Sequence, residues 1–230
     1  MEVGLSEVAQ ALTVLQFGDS FFPSGAVSFS WGMEGLSDKG VVTDAAAVRA
    51  FLIGQLRARW AEFDRPVVVA AHLARLSLQD VAAIDHQVDI QTPCAELRSA
   101  SRRMGEAMLS VFARLDIGEA ATYRERVKQG DALGHLPAMQ GYLWGRAGLS
   151  ERDAVALSAH TFSTGLLGAG IRLGCLSHID AQQTLMEARQ EAARLAALPV
   201  PTVGELSAYA IQAEIAVMQH VNNAQRVFAN

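Results

Sequence analysis

A chain of 230 residues, half of them hydrophobic and 19% charged, can bury a substantial core and lacks the composition of a disordered segment. The formal charge of −5 leaves no basic excess to displace counterions from phosphates, which argues against nucleic-acid binding, and no apolar run approaches the ~20 residues of a bilayer span. Cys94 and Cys175 are too few for a disulfide framework and too far apart for a CxxC metal clip, and the N-terminus, with Glu2 and Glu7, lacks a basic-then-apolar leader; a cytoplasmic protein with no membrane segment is expected.

Nearly every segment then reads at a helical period. Ser6 is a candidate cap for a first helix carrying Val8, Leu12 and Leu15 on one face. The stretch from Gln16 to Leu36 breaks the pattern with five aromatic side chains, four glycines and Pro23, which discourages Phe22 from helix. Residues 28–36 can resume as a turn or two of helix with Gly32 and Gly35 on nearly one face, open to close approach. Gly40 is the stop, with Lys39 in the last turn.

Thr43 and Asp44 open an amphipathic helix in which Val48, Phe51, Leu52, Leu56, Trp60 and Phe63 recur at threes and fours. Asp64-Arg65-Pro66 is expected to end it, with Pro66 in the first turn of a new helix running to about Leu76. A short helix from Leu78 to about Val88 follows. Thr92 and Pro93 then read as a cap and first helical residue for a long helix to about Leu115, its inner stripe being Leu97, Met104, Met108 and Val111 or Phe112. Helices at 119–128, 137–146, 150–176 and 180–198 complete the series, Ser150 and Asp153 having the spacing of a capping box. Gly165, Gly168, Gly170 and Gly174 each cost a helix ~1 kcal/mol relative to Ala, so close packing or a broken helix is expected there. The pattern as a whole predicts an all-α fold, a single-domain multi-helix bundle over residues 1–230.

Independent signs of catalysis are sparse. The six histidines form neither HExxH nor the ExxH pair of a di-iron site, and Cys175 with His178, or Asp131 with His135, supplies two ligand types where a closed site needs more. No nucleotide loop or GxSxG elbow is present. Seventeen of the nineteen cations are Arg, which favours forked pairing with carboxylates. The residues alone leave open a helical enzyme with a small-molecule pocket near His135, Arg172 and Glu34, or a generic helical scaffold.

Pro23-Ser-Gly-Ala-Val-Ser-Phe-Ser-Trp-Gly-Met-Glu34 resembles the Pro-x-Gly-Gly-Phe-Ser-Tyr-Ser-x-Gly-Leu-Glu signature of the UreF family of urease accessory proteins, with Ala26, Val27 and Trp31 as departures. Further fragments follow in the family's order. Glu96-x-Arg98 with Ser101, Met104 and Gly105 is similar to its Glu-x-Arg-x-x-Ser-x-x-Met-Gly helix. Gly134-His135 through Gly141 is similar to its Gly-His segment, and Arg172-Leu173 with Asp180 and Gln182 to its Arg-Leu stretch. Glu214 to His220, then Arg226-Val-Phe228, resembles its closing motif, with Val221, Ala229 and Asn230 departing.

The resemblance implies a non-catalytic factor without cofactor, a homodimer that binds UreD (also called UreH), recruits or regulates the GTPase UreG, and serves nickel insertion into apo-urease. It marks Pro23, Gly25, Ser28, Gly32, Glu34, Ser101, Met104, Gly105, His135, Gly141, Arg172, His220, Arg226 and Phe228 as family-motif or partner-binding positions. Residues 212–230 are expected to form a partner-docking tail. After Pro199 and Pro201 the chain offers Tyr209, Ile211, Ile215 and Met218 as an apolar stripe, and the stretch after His220 looks too polar to fold back on a core, leaving Arg226 and Phe228 as interface anchors.

Overall fold

The computed structural model describes residues 7–23, 29–220 and 228, and within them every regular element is helical. The helices are α1 (Glu7–Gly18), α2 (Met33–Asp38), α3 (Ala45–Gln55), a π-helical stretch (Leu56–Asp64), α4 (Arg65–Leu73), α5 (Leu78–Ile90), α6 (Ala95–Arg114) and α7 (Ala120–Gln129). They continue with α8 (Leu136–Arg146), α9 (Glu151–Arg172), α10 (His178–Ala196), a 3₁₀ turn (Val203–Glu205) and α11 (Ile211–His220). Side-chain caps start four of them: Asp44, Ser77, Ser150 and Ser177 each accept from the backbone N–H three residues on. Reciprocal capping boxes are closed by Ser177 with Asp180 at the start of α10 and by Thr202 with Glu205 at the 3₁₀ turn.

Three boundaries differ from the sequence reading for physical reasons. α2 begins only at Met33, because Trp31 (φ 54°) and Gly32 (φ 86°) are both left-handed. Thr92 is no cap: its hydroxyl donates back to the Val88 carbonyl at 2.7 Å, and Cys94 takes the N-cap position of α6. The helix expected to stop at Asp64 runs on. Pro66 has no N–H for the Glu62 carbonyl, and the chain accommodates it by widening to π geometry, with Arg65 N–H bonded to Trp60 O five residues back. The Glu62 and Ala58 carbonyls then accept from Ser207 N–H (3.1 Å) and Tyr209 N–H (3.2 Å), so the segment after the 3₁₀ turn lies along this stretch.

α8 is the central rod, buried from Pro137 to Gly145. It can be central because α4 crosses it at Gly141, where a Cβ would lie 2.2 Å from the Val68 carbonyl oxygen. Around it Phe63, Val68, Met108, Phe112, Tyr123 and Trp144 form one apolar cluster. A second joins Val48, Leu52 and Trp60 to Leu166, Leu176 and Leu195, binding α3 and the π stretch to α9 and α10. Arg65 fastens the two regions. Its buried guanidinium donates to the carbonyls of Leu195 (2.8 Å), Leu198 (3.0 Å) and Pro199 (2.9 Å), satisfying the C-terminal end of α10.

α9 is long and apolar enough to cross a bilayer by length and composition, contrary to the reading that no segment approaches this; half of its apolar window is buried, and it packs on α4, α8 and α10. Of its glycines, Gly170 is in close contact with Val48 and Leu176, and Gly174 (φ 72°) terminates the helix. Gly165 and Gly168 face open space and have no packing reason.

Candidate partner interface

The family-motif positions separate into two groups. The first is internal. Asp85, fully buried on α5, accepts from Tyr123 Oη (3.0 Å) and from the backbone N–H groups of Leu133 (2.8 Å), Gly134 (2.7 Å) and His135 (2.8 Å). One carboxylate thus organises the loop between α7 and α8. Ser101 Oγ accepts from Leu136 N–H at 3.1 Å, Met104 packs with Phe29, and Gly105 admits the same loop so closely that a Cβ there would lie 1.8 Å from Gly134 O.

His135 sits in this loop with Nε2 3.0 Å from Asp89 Oδ1, and Arg102 also bonds Asp89. Burial lowers the His135 pKa against the opposing pull of Asp85 and Asp89, which favours the neutral ring. Burial opposes ionisation of Asp89 as well, but the bonds from His135 and Arg102 outweigh it and hold the carboxyl below the usual range. Ser101, Met104, Gly105, His135 and Gly141 therefore stand in the packing and hydrogen bonding of the α4–α6–α8 crossing.

The second group joins the two ends of the chain. At Gly32 and Gly35 a Cβ would lie 2.5 Å from Ala213 O and 2.9 Å from Ala216 O, so the backbones of α2 and α11 touch. Glu34, buried on α2, accepts from Phe228 N–H at 3.2 Å, and the Arg172 guanidinium carbon lies 4.1 Å from the centre of the Phe228 ring. Phe228 is 3% exposed and belongs to the cluster with Met33 and Ala216. The expectation of a free aromatic anchor fails here, because Glu34 bonds the Phe228 main-chain N–H and Arg172 covers its ring.

α11 also turns its predicted stripe the other way. Ala213, Ala216 and Val217 are buried, whereas Tyr209, Ile211, Ile215 and Met218 are exposed. The glycine seam of α2 leaves room only for small residues, so the large ones face outward. The stripe Val8, Leu12 and Leu15 of α1 is likewise exposed, and Phe17 is what α1 buries. Pro23 is exposed; Ser6, Gly25, Ser28 and Arg226, and the side chain of His220, lie outside the described residues.

The pocket anticipated from His135, Arg172 and Glu34 is not assembled. Glu34 and Arg172 meet over Phe228, while His135 engages Asp85, Asp89 and Arg102 on α5 and α6. A groove of about 650 Å³ does lie between α9 and α10, lined by Trp60, Val155, Leu185 and Met186 with Arg152 and Arg189, but by none of those three. Cys175 donates its Sγ–H to Val42 O at 3.4 Å, and among the described residues no group of three or more His, Cys, Asp or Glu is placed to hold a metal.

Comparison with known proteins completes the picture. The UreF family model matches residues 42–189. The chain belongs to the UreF family. The urease accessory protein UreF of Trichodesmium erythraeum (strain IMS101) is 32% identical over 238 residues, covering 98% of this chain and 99% of the relative. That of Yersinia pseudotuberculosis serotype IB (strain PB1/+) is 26% identical over 223 residues, covering 95% and 97%. The similarity therefore spans both groups of UreF motif positions, the internal loop and the joined chain ends.

Asp85 and Arg59 escaped the sequence reading, and Asp64 was read only as part of a helix end. Asp85 shares the 81-85-88 face with Val81 and Val88, and a carboxylate on an apolar face is itself a signal of a buried hub. Arg59 and Asp64 form a buried ion pair at 3.5 Å inside the π stretch, with Arg59 over Trp31 at 4.8 Å. Burial raises the Asp64 pKa against the pull of Arg59.

Proposed function

We propose that this chain is a non-catalytic adaptor in urease maturation. In this reading it is one cytoplasmic domain spanning 1–230 that works as a homodimer, binds UreD (UreH), recruits or regulates the GTPase UreG, and serves nickel insertion into apo-urease. The observation that carries the reading is the outward face of α11: Ile211, Ile215 and Met218 are exposed while the small residues behind them hold the helix to the fold. An apolar stripe on a helix whose other face is already packed is suited to a partner. Glu34, Arg172 and Phe228 support that helix from below, and Gly32 sets its approach; on this reading the second motif group serves partner binding and the first the scaffold.

The test is coexpression of the tagged full-length chain with UreD and UreG. The wild-type chain is expected to copurify UreD and, through it, UreG. The pair Ile211→Asp and Ile215→Asp should lose UreD with helicity and dimer mass unchanged. Undiminished UreD with that variant would refute the assignment of the face.

A further inference from the structure

Phe228 is the described residue that follows His220, and its contacts are those of a recognised ligand. Its main-chain N–H donates to the buried Glu34 carboxylate at 3.2 Å, its ring sinks into the cluster containing Met33 and Ala216, and Arg172 covers the ring at 4.1 Å. Arg172 is itself exposed, held by its own Nε–H to Gly168 O at 3.3 Å at the end of α9. The carboxylate reads an N–H, the cluster reads an apolar ring, and the guanidinium reads a π face; together these specify an aromatic residue with a free amide N–H.

The position of this arrangement gives it a consequence. α2 has six residues, too short to be stable alone, and it depends on neighbours on each side. On one side the glycine seam lies on Ala213 and Ala216 of α11; on the other, Glu34 bonds Phe228. We propose that Glu34 and Arg172 form a seat for an aromatic residue, that Phe228 is its occupant in cis, and that this occupancy clamps α2 against α11. The outward face of α11 is thereby held ready for a partner; this last clause rests on the proposed function, whereas the seat and the clamp do not.

The experiment uses the full-length chain with no partner present, by amide hydrogen exchange read by mass spectrometry. In Phe228→Ala, exchange in residues 29–38 and 211–220 is expected to accelerate at least about tenfold while α4, α6 and α8 are unaltered. Arg172→Gln, at an exposed position, should give the same pattern to a smaller extent. A synthetic peptide with the sequence of residues 219–230, added in trans at millimolar concentration, should restore protection to Phe228→Ala. The same peptide with Ala in place of Phe should not. Unchanged exchange in α2 and α11, or acceleration spread over all helices, would overturn the clamp. Failure of the peptide to restore protection would overturn the seat as a recognition site.

Discussion

Replacing Asp85 by Asn tests whether one buried charge organises the loop that carries His135. Oδ2 accepts from Tyr123 Oη and from the N–H groups of Leu133 and Gly134, and Oδ1 accepts from His135 N–H. An amide can keep its oxygen on the three-donor side, but its NH₂ then faces the His135 N–H, donor against donor. The three retained bonds fall from charge-assisted to neutral strength, a loss of ~1 kcal/mol each, and the orphaned N–H adds ~1–3 kcal/mol. Relief from burying a charge returns part of this, leaving a net destabilisation of about 3 kcal/mol. For a chain of this length that lowers Tm by about 6 to 12 °C, measurable by scanning calorimetry. The exchange of the 132–135 amides should rise in parallel. An Asn variant melting within about 2 °C of wild type would refute the reasoning and assign the loop geometry to packing alone.

Two further predictions follow from close contacts and from one pKa. Gly105→Ala would drive a Cβ into a backbone carbonyl at 1.8 Å and should cost more than ~3 kcal/mol or abolish folding, while Gly165→Ala, facing open space on α9, should stabilise by ~0.5–1 kcal/mol; equal effects in urea denaturation would contradict the α6–loop crossing. Hydrogen bonds from Arg194 and Arg57 hold the Glu191 pKa down to about 2 against the ordinary 4.5, so its contribution is full above 4.5 and is lost as pH falls from there toward 2. Glu191→Gln should accordingly be less stable than wild type near neutral pH and converge with it as the pH approaches about 2; a difference that persists undiminished to that pH would place the effect elsewhere.

Helix existence was legible in the sequence because caps and periods are local. Asp44 and Ser150 mark starts as read, Ser77 and Ser177 carry the same local signal unread, and Val48, Leu52, Leu56 and Trp60 mark an inner face that is buried as read. Which face of α1 and α11 is covered was not legible. Periodicity reveals that a stripe exists, but coverage depends on what another element can approach, and the Gly32–Gly35 seam admits Ala213 and Ala216 in preference to Ile215 and Met218. The π stretch was hidden for a related reason: Pro66 signals a lost hydrogen bond, and only the chain near Ser207 reveals that the carbonyl finds another donor. Of the site, the motif positions were readable one by one. The meeting of Glu34, Arg172 and Phe228 joins three distant segments and leaves no local signature.

The central claim, an adaptor for urease maturation acting through α11, is tested most directly by nickel content. Urease is purified from a urease-expressing host whose own UreF gene is deleted and replaced by this chain, and nickel per urease subunit is measured alongside activity. The account predicts nickel-loaded, active urease with the wild-type chain and nickel-poor, inactive urease with Ile211→Asp plus Ile215→Asp at equal expression. Full nickel loading with the double variant, or without the chain at all, would contradict it.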